Sequence, residues 1–125
     1  MPEIVENKGF KKLTVYQKTK ILVLEIYKIT EKYPSNEQFV LVNQMRRAAI
    51  SILANIVEGY AKKSSKEFAR FLTISIGSLT ELEVFLDLSC DLDYIDLTTL
   101  ATINSLLQEV KRLLYGTRKS ARLRF

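Results

Sequence analysis

Histidine is absent from the 125 residues, and cysteine occurs once, as Cys90. Without histidine the chain lacks the usual general base, the commonest zinc ligand and every Ser-His or Cys-His nucleophile pair. A lone cysteine closes neither an internal disulfide nor a multi-cysteine metal site, so a reducing cytoplasm is the expected compartment. Long apolar runs are missing too, since stretches such as Ile21 to Leu24 fall far short of the ~20 residues that span a bilayer. The opening Met-Pro-Glu-Ile-Val-Glu-Asn-Lys alternates charge with apolar residues and has no continuous apolar core, so no export signal is expected. No internal repeat or low-complexity linker is visible. These absences point to a soluble protein with no membrane partner, no metal and no cofactor.

What is present suits one packed core. Hydrophobic residues make up 47% and charged residues 26% of the chain, too apolar for a disordered protein and too short for two cores. Four segments carry apolar residues spaced alternately three and four apart, the period of an amphipathic helix. The first runs over about residues 15–33, through Val15, Leu22, Ile26 and Tyr33, and stops before Pro34. Ser35 with Gln38 has the form of a capping box and opens a second helix over 36–58, with Gly59 as its left-handed cap. Ser64 with Glu67 opens a third over 65–92, and Asp96 caps a fourth over 97–115. Residues 116–125 then read as a basic tail. Short connections favour antiparallel neighbours. The expected fold is all-α: an antiparallel, up-down-up-down four-helix bundle forming a single domain over 1–125.

The second helix is unusual. Ala48 to Val57 is apolar around nearly its whole circumference, which predicts burial on every side and therefore cover from another subunit. Through it runs one polar line, Gln44, Arg47, Ser51, Asn55 and Glu58. If helices two and three pair about a turn near residue 62, Arg46 and Arg47 lie near Gly77 and Ser78, one turn from Glu81. The expectation is that Arg46 or Arg47 pairs with Glu81 or Glu83, and that Asn55 bonds across a helix interface. A site built on Arg47, Asn55 and Glu58 is the competing reading. The costliness of an unpaired buried charge favours a structural network.

Charge is segregated along the chain, on a net formal charge of +5. Residues 60–75 hold four bases and one acid, residues 110–125 six bases and no acid, and residues 76–109 seven acids and no base. In an up-down-up-down bundle three basic segments converge at one end: Lys8, Lys11 and Lys12; Lys62, Lys63, Lys66 and Arg70; Lys111, Arg112, Arg118, Lys119, Arg122 and Arg124. Asp87, Asp91, Asp93 and Asp96 gather at the other. Backbone donors at Ser64 and Ser65, beside Lys62, Lys63 and Lys66, form a natural phosphate site. Repeated around a ring, such a surface is expected to track an RNA or DNA backbone with little base specificity; the competing reading is that these bases complement helix dipoles and keep the protein soluble.

Gln44-Met-Arg-Arg-Ala-Ala-Ile-Ser-Ile followed by Ala54-Asn-Ile-Val-Glu-Gly resembles the central signature of a bacterial family, the four-helix-bundle proteins encoded in intervening sequences of 23S ribosomal RNA genes. Leu13-Thr-Val-Tyr-Gln-Lys, Ser64-Ser-Lys-Glu-Phe-Ala-Arg-Phe-Leu, Gly77-Ser-Leu-Thr-Glu-Leu-Glu and Leu92-Asp-Tyr-Ile extend the resemblance over about residues 11–115. It implies a homo-oligomer, a pentameric ring, an association with ribosomal RNA and no enzymatic activity. A related branch, the accessory proteins of diversity-generating retroelements, implies a basic pentameric barrel that binds a reverse transcriptase and nucleic acid. Leu53 stands where the family commonly has proline, which predicts a straighter second helix.

Three functional classes follow. The leading one is a non-catalytic oligomeric module that binds RNA or a nucleoprotein partner through its basic end. The second is a purely structural scaffold. The third is an enzyme using Glu58, Glu81 and Glu83, with or without a divalent metal; no catalytic spacing motif accompanies those acids.

Overall fold

The computed structural model describes residues 9–125, so Lys8 and the N-terminal octapeptide considered above lie outside the described residues. Helix α1 spans Thr14–Thr30 and turns Val15, Thr19, Leu22, Val23, Ile26 and Thr30 inward, the three-four spacing of the sequence realised as one buried stripe. It ends earlier than expected. The Thr30 hydroxyl donates to the Ile26 carbonyl at 2.7 Å, and Tyr33 is buried from the connecting turn, not from the helix.

Helix α2 spans Leu41–Ala61. Ser35 opens only a short 3-10 turn, Ser35–Glu37. The residue that serves the start of α2 is Glu37, whose Oε1 accepts a long hydrogen bond from the Leu41 amide at 3.4 Å. Its Oε2 accepts from the Tyr94 hydroxyl at 2.7 Å, tying this turn to the segment after α3. At the other end α2 runs through Gly59, and the left-handed residue is Lys63, at φ 56°. Gly59 is needed for contact instead: a Cβ there would lie 2.6 Å from the Phe71 Cβ. The helix continues uninterrupted past Leu53.

Helix α3 spans Ser65–Asp91, and the Ser64 hydroxyl accepts from the Glu67 amide at 3.3 Å, as its capping pattern predicts. Helix α4 spans Leu97–Ser120, opened by Asp96, whose carboxylate accepts from the Thr99 amide at 2.7 Å. That backbone hydrogen bond, reinforced by the Thr99 side chain, holds the Asp96 carboxyl below its ordinary range. Residues 116–120, expected as tail, continue α4 through Gly116, and a 3-10 turn, Ala121–Leu123, follows.

These four helices and no strand make up the regular structure of the described residues, apart from 3-10 turns. Their backbones touch in a square: α1 against α2 and α4, and α3 against α2 and α4, with neither diagonal pair in contact. The centre is filled by Leu22, Ile26, Met45, Ile52, Phe68, Leu79, Leu107 and Leu114, all fully buried. Between α2 and α3, Gly59 meets Phe71, the Ser75 hydroxyl donates to the Ile52 carbonyl at 2.8 Å, and Ser89 reaches the Met45 sulfur at 3.6 Å. Small side chains along this seam let the two backbones approach closely. No described helix is long and apolar enough to cross a membrane.

Candidate nucleic-acid interface

Consecutive residues on a helix point about 100° apart, and this separates the two arginines of α2. Arg46 turns toward α1: its Nε donates to the Thr30 hydroxyl at 3.0 Å, its Nη2 to the Tyr27 carbonyl at 3.3 Å, and its guanidinium lies 4.4 Å from the Tyr27 ring centre. Arg47 turns toward α3 and is exposed, sharing a shallow cleft with Gln44, Ser51, Ser78 and Glu81. The expected pairing of Arg46 or Arg47 with Glu81 or Glu83 is therefore corrected. Neither arginine makes an ion pair with either acid. Glu83 receives Gln108 at 2.9 Å and faces Lys111 at 4.0 Å, both from α4.

Ser78, expected opposite Arg46 and Arg47, sits about one helical turn away from that register. Its hydroxyl shares a hydrogen bond with that of Ser51 at 2.8 Å. The expectation for Asn55 is corrected as well. Its amide donates within α2, to the Ser51 carbonyl at 2.8 Å and hydroxyl at 3.1 Å, so Ser51 and not Asn55 makes the crossing. Glu58 is exposed beside an apolar groove lined by Phe10, Tyr16, Ile50, Leu53 and Val57. The continuous apolar circumference of α2 thus divides into a buried core face and this outer groove on the α1 side. Among the described residues no group of three or more His, Cys, Asp or Glu side chains could hold a metal ion.

The basic residues fall into several environments. Lys12 and Arg124 line one cleft of about 260 Å³ with Thr14 and Thr117, so the segments before α1 and after α4 meet there. Lys63, at the α2–α3 connection, has its ammonium 5.0 Å from the Tyr60 ring and 5.7 Å from that of Phe125. Phe125 in turn packs edge-on against Tyr60 and Phe68. Lys62 lies 5.7 Å from the Phe71 ring. Lys11, Lys66, Arg112, Lys119 and Arg122 are exposed.

Of the candidate interface bases among the described residues, two are engaged with acids. Arg70 donates through Nε and Nη2 to Glu67, at 3.2 and 3.0 Å. That bond, with the nearby charges of Arg70, Lys62 and Lys66, holds the Glu67 carboxyl below its ordinary range. Lys111 points to Glu83, as above. Arg118 donates to the Thr73 hydroxyl at 3.2 Å and lies 4.9 Å from the Tyr115 ring. The aromatic partners Tyr60, Tyr115 and Phe125 were not singled out by the charge pattern. Their signal is the interleaving of rings with bases in Tyr60-Ala-Lys-Lys and Tyr115-Gly-Thr-Arg-Lys.

A square of four helices, with Lys12 and Arg124 lining one cleft and Lys63 beside the Phe125 ring, defines a small all-helical protein with a mixed basic and aromatic surface. The chain matches the family of 23S rRNA-intervening sequence proteins over residues 11–116, and it belongs to that family. A solved structure of similar fold is a protein with unknown function from the S23 ribosomal protein family of Bacteroides thetaiotaomicron. It is 27% identical, with a TM-score of 0.77 over 84% of this chain and 95% of that one. No match is found among curated proteins.

Proposed function

We propose that this protein is a non-catalytic oligomeric module that binds RNA, in bacteria the 23S ribosomal RNA or a particle containing it, through the basic end of an antiparallel, up-down-up-down bundle. The observation that carries this reading is the meeting of Lys12 with Arg124 and of Lys63 with Phe125, which draws three basic segments of the chain together. No acid occurs in residues 110–125 to offset them. The family's name supports RNA as the polyanion. The seam contacts of Gly59 with Phe71, Ile52 with Ser75 and Met45 with Ser89 support the antiparallel order of α2 and α3.

A ring of copies, five in the resemblance set out above, is supported by two apolar surfaces on opposite sides of the square. One is the α1–α2 groove with Ile50; the other is a groove between α3 and α4 bordered by Val84, Leu97 and Ala101. Val84 and Leu97 are 59% and 76% exposed, which is costly for isolated chains in water. Two different faces repeat head to tail, which closes into a ring when the rotation allows.

The test is fluorescence anisotropy with labelled RNA at rising salt. Several phosphate contacts lower affinity by at least about a hundredfold between 50 and 200 mM salt. Charge reversal at Lys12, Lys63 and Arg124 abolishes the binding. Binding that is absent, or indifferent to salt, refutes the reading and favours a scaffold.

A further inference from the structure

We propose that Tyr115 is a stacking platform for an unpaired nucleotide base, so the basic end takes single-stranded RNA by its bases as well as its phosphates. This inference rests on the polyanion reading above and specifies the form of nucleic acid that the surface accepts. Tyr115, Gly116, Arg118 and Lys119 line one open cleft of about 500 Å³ on the surface of α4. Tyr115 keeps 44% of its surface exposed, although an aromatic ring of a helical bundle gains most by turning inward.

The cleft has the parts that sequence-tolerant single-strand binding requires: a flat ring, cations beside it and space for a base. Arg118, hydrogen-bonded to Thr73, has its guanidinium over one face of the ring, 4.9 Å from its centre, so it backs the platform and a base stacks on the opposite face. Lys119 is exposed in the same cleft and available to a phosphate. Gly116 leaves the floor open: a Cβ added there would meet no atom within 4 Å.

Ring and cation meet a second time at the chain's end, where Phe125, packed edge-on against Tyr60 and Phe68, anchors a charge and not a base. Phe125 is 43% exposed and Lys63 stands 5.7 Å from its ring. Lys63 holds a left-handed backbone at φ 56°, where glycine or asparagine is the ordinary choice.

The experiment compares the full-length protein on a labelled oligouridylate of about a dozen nucleotides and on its abasic counterpart, which has the same phosphates without bases. The wild type binds the oligouridylate about tenfold more tightly than the abasic strand, the gain expected from one stacked base. Tyr115→Ala removes that ratio and leaves abasic binding unchanged. Gly116→Leu, a good helix former that fills the cleft, does the same without touching ring or charge. Equal wild-type affinity for the two strands overturns the stacking inference while the polyanion reading stands. Absence of salt-dependent binding to either strand overturns both. A changed mass of Tyr115→Ala in light scattering assigns the ring to a subunit contact and also overturns the inference.

Discussion

Two glycines in helices have opposite meanings, and only their surroundings distinguish them. Gly59 faces the α2–α3 seam, where an added Cβ would stand 2.6 Å from the Phe71 Cβ, next to the α3 backbone and unable to swing away. Gly77 faces open space in the middle of α3. Gly59→Ala is therefore expected to destabilise by about 1–3 kcal/mol through overpacking, despite alanine's better helix propensity. Gly77→Ala is expected to stabilise by up to about 1 kcal/mol. Urea denaturation of the two variants beside wild type checks both signs. Arg46 is the other residue whose role depends on its exact direction. Arg46→Lys keeps the charge but cannot reach Thr30 and the Tyr27 carbonyl while lying on the Tyr27 ring. It should lower stability by about 1–2 kcal/mol, whereas Arg47→Lys, on an exposed side chain, should stay within about 0.5 kcal/mol.

At the scale of elements, the existence of the helices was legible and their ends only partly so. The three-four rhythm of Leu22, Ile26, Leu72, Leu79, Leu107 and Leu114 is a direct imprint of the buried stripe. Ser64 and Asp96 cap where their side chains predict, because a hydroxyl or carboxylate at that position has an orphaned amide within reach. Ser35 misleads: Glu37 supplies the acceptor for Leu41 and is fixed by Tyr94, 57 residues on in the chain, a contact that no local pattern contains. Gly59 misleads as a stop signal because it is needed where α2 meets Phe71 of α3, and Gly116 because α4 continues through it. The partner of Arg46 was out of reach for a related reason, since a shift of one residue turns a side chain from α3 to α1.

Asp96 makes the capping argument testable by pH. Its carboxyl titrates below the ordinary range in the folded chain, so its contribution is present above the unfolded carboxyl's pKa and lost as pH falls through the folded one. Asp96→Ala should lower the melting temperature at pH 7. The gap to wild type should narrow as the pH falls below the ordinary carboxylate range and the capping carboxylate becomes protonated. A gap that is constant across this range assigns the loss to packing of the side chain instead.

At the scale of the whole molecule, the charge segregation read from the chain and the apolar exposure seen in the fold complement each other. Bases cluster where segments meet; apolar side chains remain exposed on the flanks of the square. If those flanks join different faces of neighbouring copies, each variant with one spoiled face retains one good one. Val84→Lys spoils the α3–α4 face and Ile50→Lys the α1–α2 face, at positions 59% and 44% exposed in the single chain. Each substitution should leave the folding of that chain nearly unaffected, within about 0.5 kcal/mol, and each alone should be a monomer of 14.4 kDa in light scattering. Mixed in equal amounts they should form dimers and nothing larger, because the intact α1–α2 face of one meets the intact α3–α4 face of the other and both outer faces are spoiled. A contact between like faces gives a different result: each variant then dimerises by itself through its intact face, and mixing adds nothing. Wild-type mass in both variants removes these surfaces from the assembly altogether.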